Sequence, residues 1–446
     1  MIRLRYHLLA ILICFALAAW GQTNTLLFNS SQQQLAGAAY APASFGEEDR
    51  TFWFNFPSFH VGGGADFITR GQLLEILDGG EIPTSLVDEI IDGLGARNNL
   101  YGGAETTPLA LGFKIKAKEK ELFSVNLSWT ERQAVSMEFG PNLLRLLWNG
   151  NKQFAGQQVD LGPIQAHGIY YREFALGGSA PVFTNKDLSL RAGFRAKYNI
   201  GIVSVDGAAL AADFFTASDG SLIDFDIQGE ANTAGFNEFD VLGGTGSGFG
   251  FDLGIASTFK QKFRVDVSIL DIGSIKYDSD IETFQISASN EFQGLIVDNL
   301  LSQVEGVKTD SLENYFSTSS TEGGTFISAL NTRLAVRVGY FVSAESKNNI
   351  EYQKHSIYLG YIQEFRDAAG ATRKPKITGT YVYNAGSIIE LGASLGVSGS
   401  DLDMGAFMSV RGGPFRFGLG SGDFSGLIMN SQKVSADLSF QLGFAF

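Results

Sequence analysis

The C-terminal stretch VSADLSFQLGFAF, residues 434–446, alternates apolar residues with polar or small ones and ends on an aromatic side chain. Its apolar face comprises Val434, Ala436, Leu438, Phe440, Leu442, Phe444 and Phe446. Its opposite face comprises Ser435, Asp437, Ser439, Gln441, Gly443 and Ala445. A strand between lipid and a wet lumen needs this pattern, although a half-buried strand of an ordinary sheet would also show it. The stretch therefore predicts the closing strand of a transmembrane β-barrel.

The N-terminus has the regions of a secretory signal peptide in residues 1–21. A basic head precedes an apolar run over residues 8–20, and small residues stand at positions 19 and 21. This pattern predicts export and cleavage after Gly21, with an uncleaved membrane anchor as the alternative. Because the only cysteine is Cys14, the mature chain would contain no disulfide, no thiolate metal ligand and no cysteine nucleophile.

The composition favours one exported β-sheet domain over residues 22–446. Removal of residues 1–21 takes away two of the 33 basic residues and none of the 47 acidic ones, which leaves a net charge of −16. We do not expect so acidic a chain to bind nucleic acid. The chain has 54 Gly, only 9 Pro and 37 Phe, with no linker-like segment and no apolar run after residue 21 long enough for a spanning helix.

Segments with a period of two recur along the chain and predict fourteen to sixteen strands. The clearest hairpin joins residues 109–117 to residues 123–129. Short connections on one side are predicted at 118–121, 216–220, 260–262, 343–350, 385–387 and 411–414. Mostly long connections on the other side are predicted at 63–105, 140–157, 231–247, 283–325, 366–373 and 421–432. Outer-membrane barrels have this asymmetry, although short connections predicted near 199–201 and 399–401 do not fit it.

Two segments are predicted to lie outside the barrel wall. Residues 22–50 are expected to form an N-terminal periplasmic or plug segment, and residues 63–105 a partly helical insert. Helical spacing also occurs at residues 141–148 and 295–304. Helices at these positions would either close the lumen as a lid or plug, or cover the barrel rim.

Several predicted strands carry charged side chains on one face. Arg191, Arg195 and Lys197 alternate with apolar residues, and so do Arg333 and Arg337. A charge on the lipid side at the bilayer midplane costs roughly 2–4 kcal/mol. We therefore expect these faces to point into the lumen and to meet acidic side chains there. The lumen-facing candidates are Arg191, Arg195, Lys197, Arg264, Asp266, Arg333, Arg337, Glu390 and Asp437.

The sequence contains no recognisable catalytic or cofactor motif. The glycine stretch at residues 243–250 lacks the spacing of a dinucleotide fingerprint and the ending of a phosphate loop. The three histidines of the mature chain are far apart, and acidic pairs such as Asp401 and Asp403 lack the pattern of a calcium loop. We expect no cofactor, no bound metal and no enzymatic activity. A barrel-embedded hydrolase is the remaining enzymatic alternative, since such sites assemble from distant strands.

The chain resembles a family of uncharacterised outer-membrane barrels from Bacteroidota. The resemblance rests on the signal peptide, the Ser-, Gln- and Ala-rich residues 29–44, the first strand TFWFNF at residues 51–56, the helical insert and the terminal Phe446. That family is similar to the FadL-type fatty-acid channels and to PorV, the barrel partner of the type IX secretion translocon. Resemblance to FadL-type barrels implies about fourteen strands, an N-terminal plug and a hydrophobic ligand passage.

Three hypotheses for the function follow. The first is an outer-membrane channel or transporter for small or hydrophobic solutes. The second is a non-conducting scaffold or partner barrel of an outer-membrane secretion or assembly machine, and the third is a barrel-embedded hydrolase. The expected partners are outer-membrane lipid, the barrel-assembly machinery and, under the second hypothesis, another protein of an outer-membrane complex. The assembly signal is predicted to comprise Phe440, Leu442, Phe444 and Phe446.

Overall fold

The computed structural model describes most of the chain after residue 38. The described residues are 39–47, 50–78, 82–118, 120–219, 222–236, 243–292, 317–347, 350–365, 368–369, 375–386, 388–399, 401–429 and 434–446. The predicted signal peptide and the predicted helical segment at 295–304 lie outside these residues.

Nineteen strands and a few short helices make up the described part of the chain. The strands are β1 Phe52–Ala65, β2 Asn98–Ala117, β3 Lys120–Phe139, β4 Gln158–Asp160, β5 Ile164–Thr184, β6 Leu188–Thr216, β7 Ile223–Ala234, β8 Gly246–Phe259, β9 Phe263–Tyr277, β10 Ile281–Phe292, β11 Ser317–Glu322, β12 Phe326–Ala329, β13 Arg333–Lys347, β14 Ile350–Glu364, β15 Lys376–Ala385, β16 Ile389–Ser398, β17 Asp401–Gly412, β18 Phe415–Ser421 and β19 Val434–Ala445. The α-helices are α1 Arg70–Leu77, α2 Thr84–Asp92, α3 Pro141–Asn149 and α4 Ser425–Ile428, and single 3₁₀ turns occur at Pro42–Ser44 and Lys152–Phe154.

Fourteen of the strands form a closed antiparallel ring. Its order is β1–β2–β3–β5–β6–β8–β9–β13–β14–β15–β16–β17–β18–β19, and β19 pairs with β1 from Trp53↔Ala445 to Ala65↔Val434. The terminal stretch therefore closes the barrel beside the first strand. The predicted all-β barrel of fourteen to sixteen strands is confirmed.

The two ends of the barrel differ in the length of their connections. At one end, called here the short-turn end, two or three residues join each of six hairpins: β2–β3, β5–β6, β8–β9, β13–β14, β15–β16 and β17–β18. At the other, the long-loop end, the connections are long except for the turn at 399–400 between β16 and β17. The extra strands β4, β7, β10, β11 and β12 extend the wall at this end.

The prediction of a connection near 199–201 was wrong, and the connection predicted at 216–220 was assigned to the wrong end of the barrel. Strand β6 runs without a break through residues 199–201, so residues 216–220 lie at the long-loop end. Strand β6 has glycine at position 201 because a Cβ atom there would lie 2.5 Å from the ring of Tyr277. The short turn lies at residues 185–187 instead, where the Asn185 side chain accepts hydrogen bonds from the backbone of Asp187 and Leu188.

The predicted insert lies between β1 and β2 and is partly helical. Strand pairing continues through residues 63–65 and 98–105, so the insert itself comprises residues 66–97 with helices α1 and α2. Thr69 begins α1 with a capping box, in which its hydroxyl accepts from the backbone of Gln72 and its backbone donates to the Gln72 side chain. Within the described residues, no helix is both long and apolar enough to cross a membrane.

The wall alternates between a buried inner face and an exposed apolar outer face. On β16, Leu395 and Val397 are exposed, whereas Glu390 and Ser394 are buried on the opposite face. On β19, Leu438 is exposed and Ser439 is buried. The outer surface therefore carries a broad apolar belt, which is the surface that lipid would cover.

Candidate functional site

The charged face of β6 points into the barrel. Arg191, Arg195 and Lys197 are at least 94% buried, whereas the alternating Phe194 and Tyr198 are 52% and 42% exposed on the outer face. Asp266, Arg333, Arg337, Glu390 and Asp437 are likewise buried, and Arg264 is half-buried. The structure thus places all nine candidates on the inner side of the wall.

Four basic and four acidic side chains form one ion-pair network across the lumen. Its members are Arg132, Arg195, Lys197, Arg333, Glu105, Glu173, Asp252 and Asp271. Lys197 lies at its centre, with Nζ 2.7 Å from Asp252 Oδ1 and 2.5 Å from Asp271 Oδ1. A buried charge without a partner costs several kcal/mol. Because the network contains equal numbers of basic and acidic groups, each buried charge has a partner and the cost of burying it is offset.

The network joins strands that do not pair with each other. Arg132 on β3 reaches Asp271 on β9, with Nη1 3.3 Å from Oδ2, although β5, β6 and β8 separate the two strands around the ring. Arg333 on β13 reaches the same Asp271 carboxylate at 2.9 Å. These contacts fill part of the lumen cross-section with side chains.

A short piece of chain ahead of β1 lies inside the barrel. This inner segment, residues 39–47, crosses a seat formed by Gly193 on β6 and Gly254 on β8, which are direct cross-strand partners. A Cβ atom on Gly193 would lie 2.5 Å from the backbone of Pro42 and Ala43, and one on Gly254 would lie 3.2 Å from Pro42 Cδ. The wall therefore has glycine where the inner segment needs space.

Arg191 fixes the middle of the inner segment. Its guanidinium donates to the carbonyls of Ala43 and Phe45 at 3.1 and 2.9 Å, and it forms a two-pronged ion pair with Glu121 at 2.8 Å. The Ser179 hydroxyl also donates to the Phe45 carbonyl. Charged donors make hydrogen bonds about twice as strong as neutral ones, so these contacts hold the segment firmly.

A second arginine holds the end of the inner segment. Arg264 binds the Glu47 carboxylate at 2.5 Å and the Ser44 hydroxyl at 2.8 Å, and it pairs with Asp266 through two hydrogen bonds. Asp266 accepts further hydrogen bonds from Ser44 and from Arg337. The segment thus supplies both an anion and a hydroxyl to charges on the wall.

Apolar contacts complete the seat. Tyr40 packs with Leu270, Ala335 and Ile362, and its ring also lies 5.2 Å from the Arg333 guanidinium. Phe45 packs against Trp53 near the closing strand, with ring centroids 5.2 Å apart. These contacts bury both ends of the segment against the wall.

A small polar cavity lies beside the start of the inner segment. Its volume is about 30 Å³, and its lining includes Ala39, Asn55, His60, Glu105 and Arg195. That volume suits about two water molecules. The cavity itself is far too small for a solute.

The structure brings some of the predicted residues together and not others. Asp266 meets both Arg264 and Arg337, as sequence reasoning expected of lumen acids. Asp437 instead accepts a hydrogen bond from the backbone of Gly422, in a loop at the long-loop end. Glu390 is completely buried on the inner face of β16.

Sequence reasoning missed most acidic members of the site. These are Glu47, Glu105, Glu121, Glu173, Asp252 and Asp271. Asp252 could have been found, because it is the one charged residue within the alternating run at 246–259. Glu47 could not, since its partner Arg264 lies on the seventh strand after it in the ring.

The described residues were also compared with the requirements of a metal site. They contain no group of three or more His, Cys, Asp or Glu side chains placed to hold a metal ion. His60 contacts Ser439, His167 contacts Asp206 and His355 contacts Tyr381. Each of these histidines therefore has an ordinary hydrogen-bonding partner.

Fold and lumen together define a closed fourteen-stranded β-barrel whose interior holds its own N-terminal segment. The chain belongs to the family of unknown function DUF5723, which matches residues 42–422. No match was found among curated proteins.

Several solved structures have a similar course of the chain. A Pseudomonas aeruginosa FadL homologue is 11% identical and has a TM-score of 0.43, with 96% of this chain and 99% of that chain covered. The Pseudomonas putida toluene transporter TodX is 6% identical with a TM-score of 0.43, covering 96% and 94%. A TodX deltaS2S3 mutant, described as a monoaromatic hydrocarbon channel, is 8% identical with a TM-score of 0.46, covering 96% and 95%.

Proposed function

We propose that this protein is an outer-membrane β-barrel channel that its inner segment closes, and that small solutes pass when the segment leaves its seat. The apolar belt and the alternating closing strand support a membrane location. Residues 1–21, which have the regions of a signal peptide, would direct export and then be cleaved.

The seat carries this proposal. Within the described residues, no strand pairing holds residues 39–47, and hydrogen bonds from arginine side chains and contacts with paired glycines hold them instead. A closed ring leaves no free strand edge with which the segment could pair, so side chains have to hold it. A segment held by side chains can leave without breaking the barrel.

Displacement of the segment provides the test. Gly193→Ala puts a methyl group into the backbone of Ala43, and Ala43→Trp enlarges the segment without altering the wall. The matched control is Gly379→Ala, because the nearest atom to a Cβ there is 3.9 Å away. Proteoliposome swelling in arabinose measures passage, and maleimide labelling of Ser44→Cys in each variant measures displacement.

We expect faster swelling and faster labelling for Gly193→Ala and Ala43→Trp, and wild-type behaviour for Gly379→Ala. Folded barrels whose residue 44 is labelled, but which swell no faster than wild type, would refute the channel. The same assay with hydrophobic probes tests the finer proposal that the solutes are hydrophobic.

The ion-pair network favours a second candidate, a non-conducting scaffold or partner barrel of an outer-membrane machine. Arg132, Lys197 and Asp271 would then keep the lumen closed permanently. Under this candidate Lys197→Met would lower barrel stability without raising conductance, even when combined with Gly193→Ala. Absence of enzymatic activity stays a prediction, and a hydrolase assay on the purified protein tests it.

A further inference from the structure

Basic side chains outnumber acidic ones in the half of the lumen next to the short-turn end. Among the wall residues that the structure describes, at least six basic side chains face inward there: Lys114, Arg191, Arg264, Arg337, Arg411 and Arg416. Three acidic ones face them: Glu121, Asp266 and Glu390. The described wall residues in this half therefore carry an excess of positive charge.

The inner segment offsets part of that excess. Glu47 is the only charged residue among residues 39–47, and its carboxylate binds Arg264. The other groups that the segment offers to arginine are the carbonyls of Ala43 and Phe45, which Arg191 binds. Every polar group in these contacts is a hydrogen-bond acceptor, apart from the Ser44 hydroxyl, which both donates and accepts. The segment therefore offers the two arginines a carboxylate and carbonyl oxygens, which are the groups that a bound organic anion would offer them.

Departure of the segment would remove these acceptors from Arg191 and Arg264, which would keep Glu121 and Asp266 as their respective partners on the wall. Guanidinium groups match carboxylate oxygens in charge and geometry, and basic rings select for anions in pores. A charged lining with low-dielectric walls also concentrates counter-ions within a channel. The unblocked lumen would then present Arg191 and Arg264 to whatever solute enters from this end.

We propose that the opened barrel is selective for anions, with Arg191 and Arg264 as the binding positions and small organic or inorganic anions as the solute class. This inference rests on the proposed channel function. Glu47 competes with the solute for Arg264, because the Glu47 carboxylate occupies the binding position there when the segment is seated.

Single-channel recording in a potassium chloride gradient tests the selectivity. In the Gly193→Ala background we expect chloride to permeate at least about threefold better than potassium. Addition of Arg264→Gln should bring that ratio close to one. Addition of Arg97→Gln is the matched control and should leave it unchanged, because Arg97 is an exposed residue that pairs with Glu138 at the long-loop end. Ala43→Trp should give the same selectivity as Gly193→Ala, which separates the effect from any damage to the wall.

Preference for potassium, or a ratio that Arg264→Gln does not change, would overturn the anion proposal while leaving the channel intact. A different result would refute the channel itself: both Gly193→Ala and Ala43→Trp are labelled at residue 44, yet neither conducts. The anion proposal would then fail as well, because it depends on the channel.

Discussion

The ammonium group of Lys197 and the carboxylate of Asp271 lie 2.5 Å apart, although their strands β6 and β9 are separated by β8. The same ammonium group lies 2.7 Å from Asp252 on that intervening strand. One cation thus ties three strands together through the lumen. Its removal would leave two buried carboxylates short of positive charge.

We therefore expect Lys197→Met to destabilise the barrel strongly. Loss of one partner of a buried ion pair costs about 3–5 kcal/mol. The measurement is the urea or temperature midpoint of the folded-to-unfolded mobility shift on gels. Lys186→Met in the exposed turn before β6 is the control and should keep the wild-type midpoint. Equal midpoints for the two variants would show that the network contributes little.

Assembly should depend on the closing strand. Phe446 is exposed beyond the end of β19, and its ring stacks on those of Phe52 and Phe444. Deletion of Phe446, or Phe444→Asp, should sharply lower the yield of protein in the outer membrane, because both changes damage the apolar face of the terminal strand. Phe365→Asp, at an exposed position just after β14, is the control. Normal yields of both variants would rule out this signal.

Processing at the N-terminus is tested by chemistry on the purified protein. The mature chain should begin at Gln22 and should not react with a thiol reagent, since Cys14 would be removed with the signal peptide. N-terminal sequencing and maleimide labelling are the measurements. A labelled mature protein would mean that the signal is retained.

The strand positions could be predicted because a wall between two environments imposes a period of two on each strand separately. Residues 188–198 and 434–446 both show this period, and both lie in strands. The ion-pair partners could not be predicted in the same way. Asp271 meets Lys197 and Arg132 because three strands curve around one lumen, and no spacing along the chain encodes that proximity.

The position of the inner segment could not be predicted either, because residues far away in the sequence determine it. The sequence left residues 22–50 open between a periplasmic segment and a plug. The described part lies in the barrel because Gly193 and Gly254 leave room for Pro42. In the sequence those two glycines cannot be told from any other glycine in a strand, so they did not indicate the position of the segment. Gly201 suggested a turn for a similar reason. Its glycine instead leaves space for the ring of Tyr277 beside the strand, which the sequence does not reveal.

Orientation of the wall can be measured directly on β16. Leu395 is 57% exposed on the outer face, and its neighbour Ser394 is 5% exposed on the inner face. Spin labels at Leu395→Cys should be relaxed by oxygen dissolved in lipid, whereas labels at Ser394→Cys should not. Reversed accessibilities would show that the register is wrong by one residue and that the charged faces point outward.

Glu47 offers a graded test of how firmly the inner segment is held. Its side chain is 26% exposed and pairs with Arg264. When Glu47 loses its charge, Arg264 still has Asp266 as a partner. An ion pair with this exposure contributes about 0.2–1 kcal/mol. Glu47→Gln should therefore raise the fraction of displaced segment by up to about fivefold, measured as the labelling rate of Ser44→Cys. Glu75→Gln on the exposed side of α1 is the control and should change nothing. A Glu47→Gln variant whose labelling rate equals that of wild type would show that Arg191 and the glycine seat hold the segment without help from Arg264.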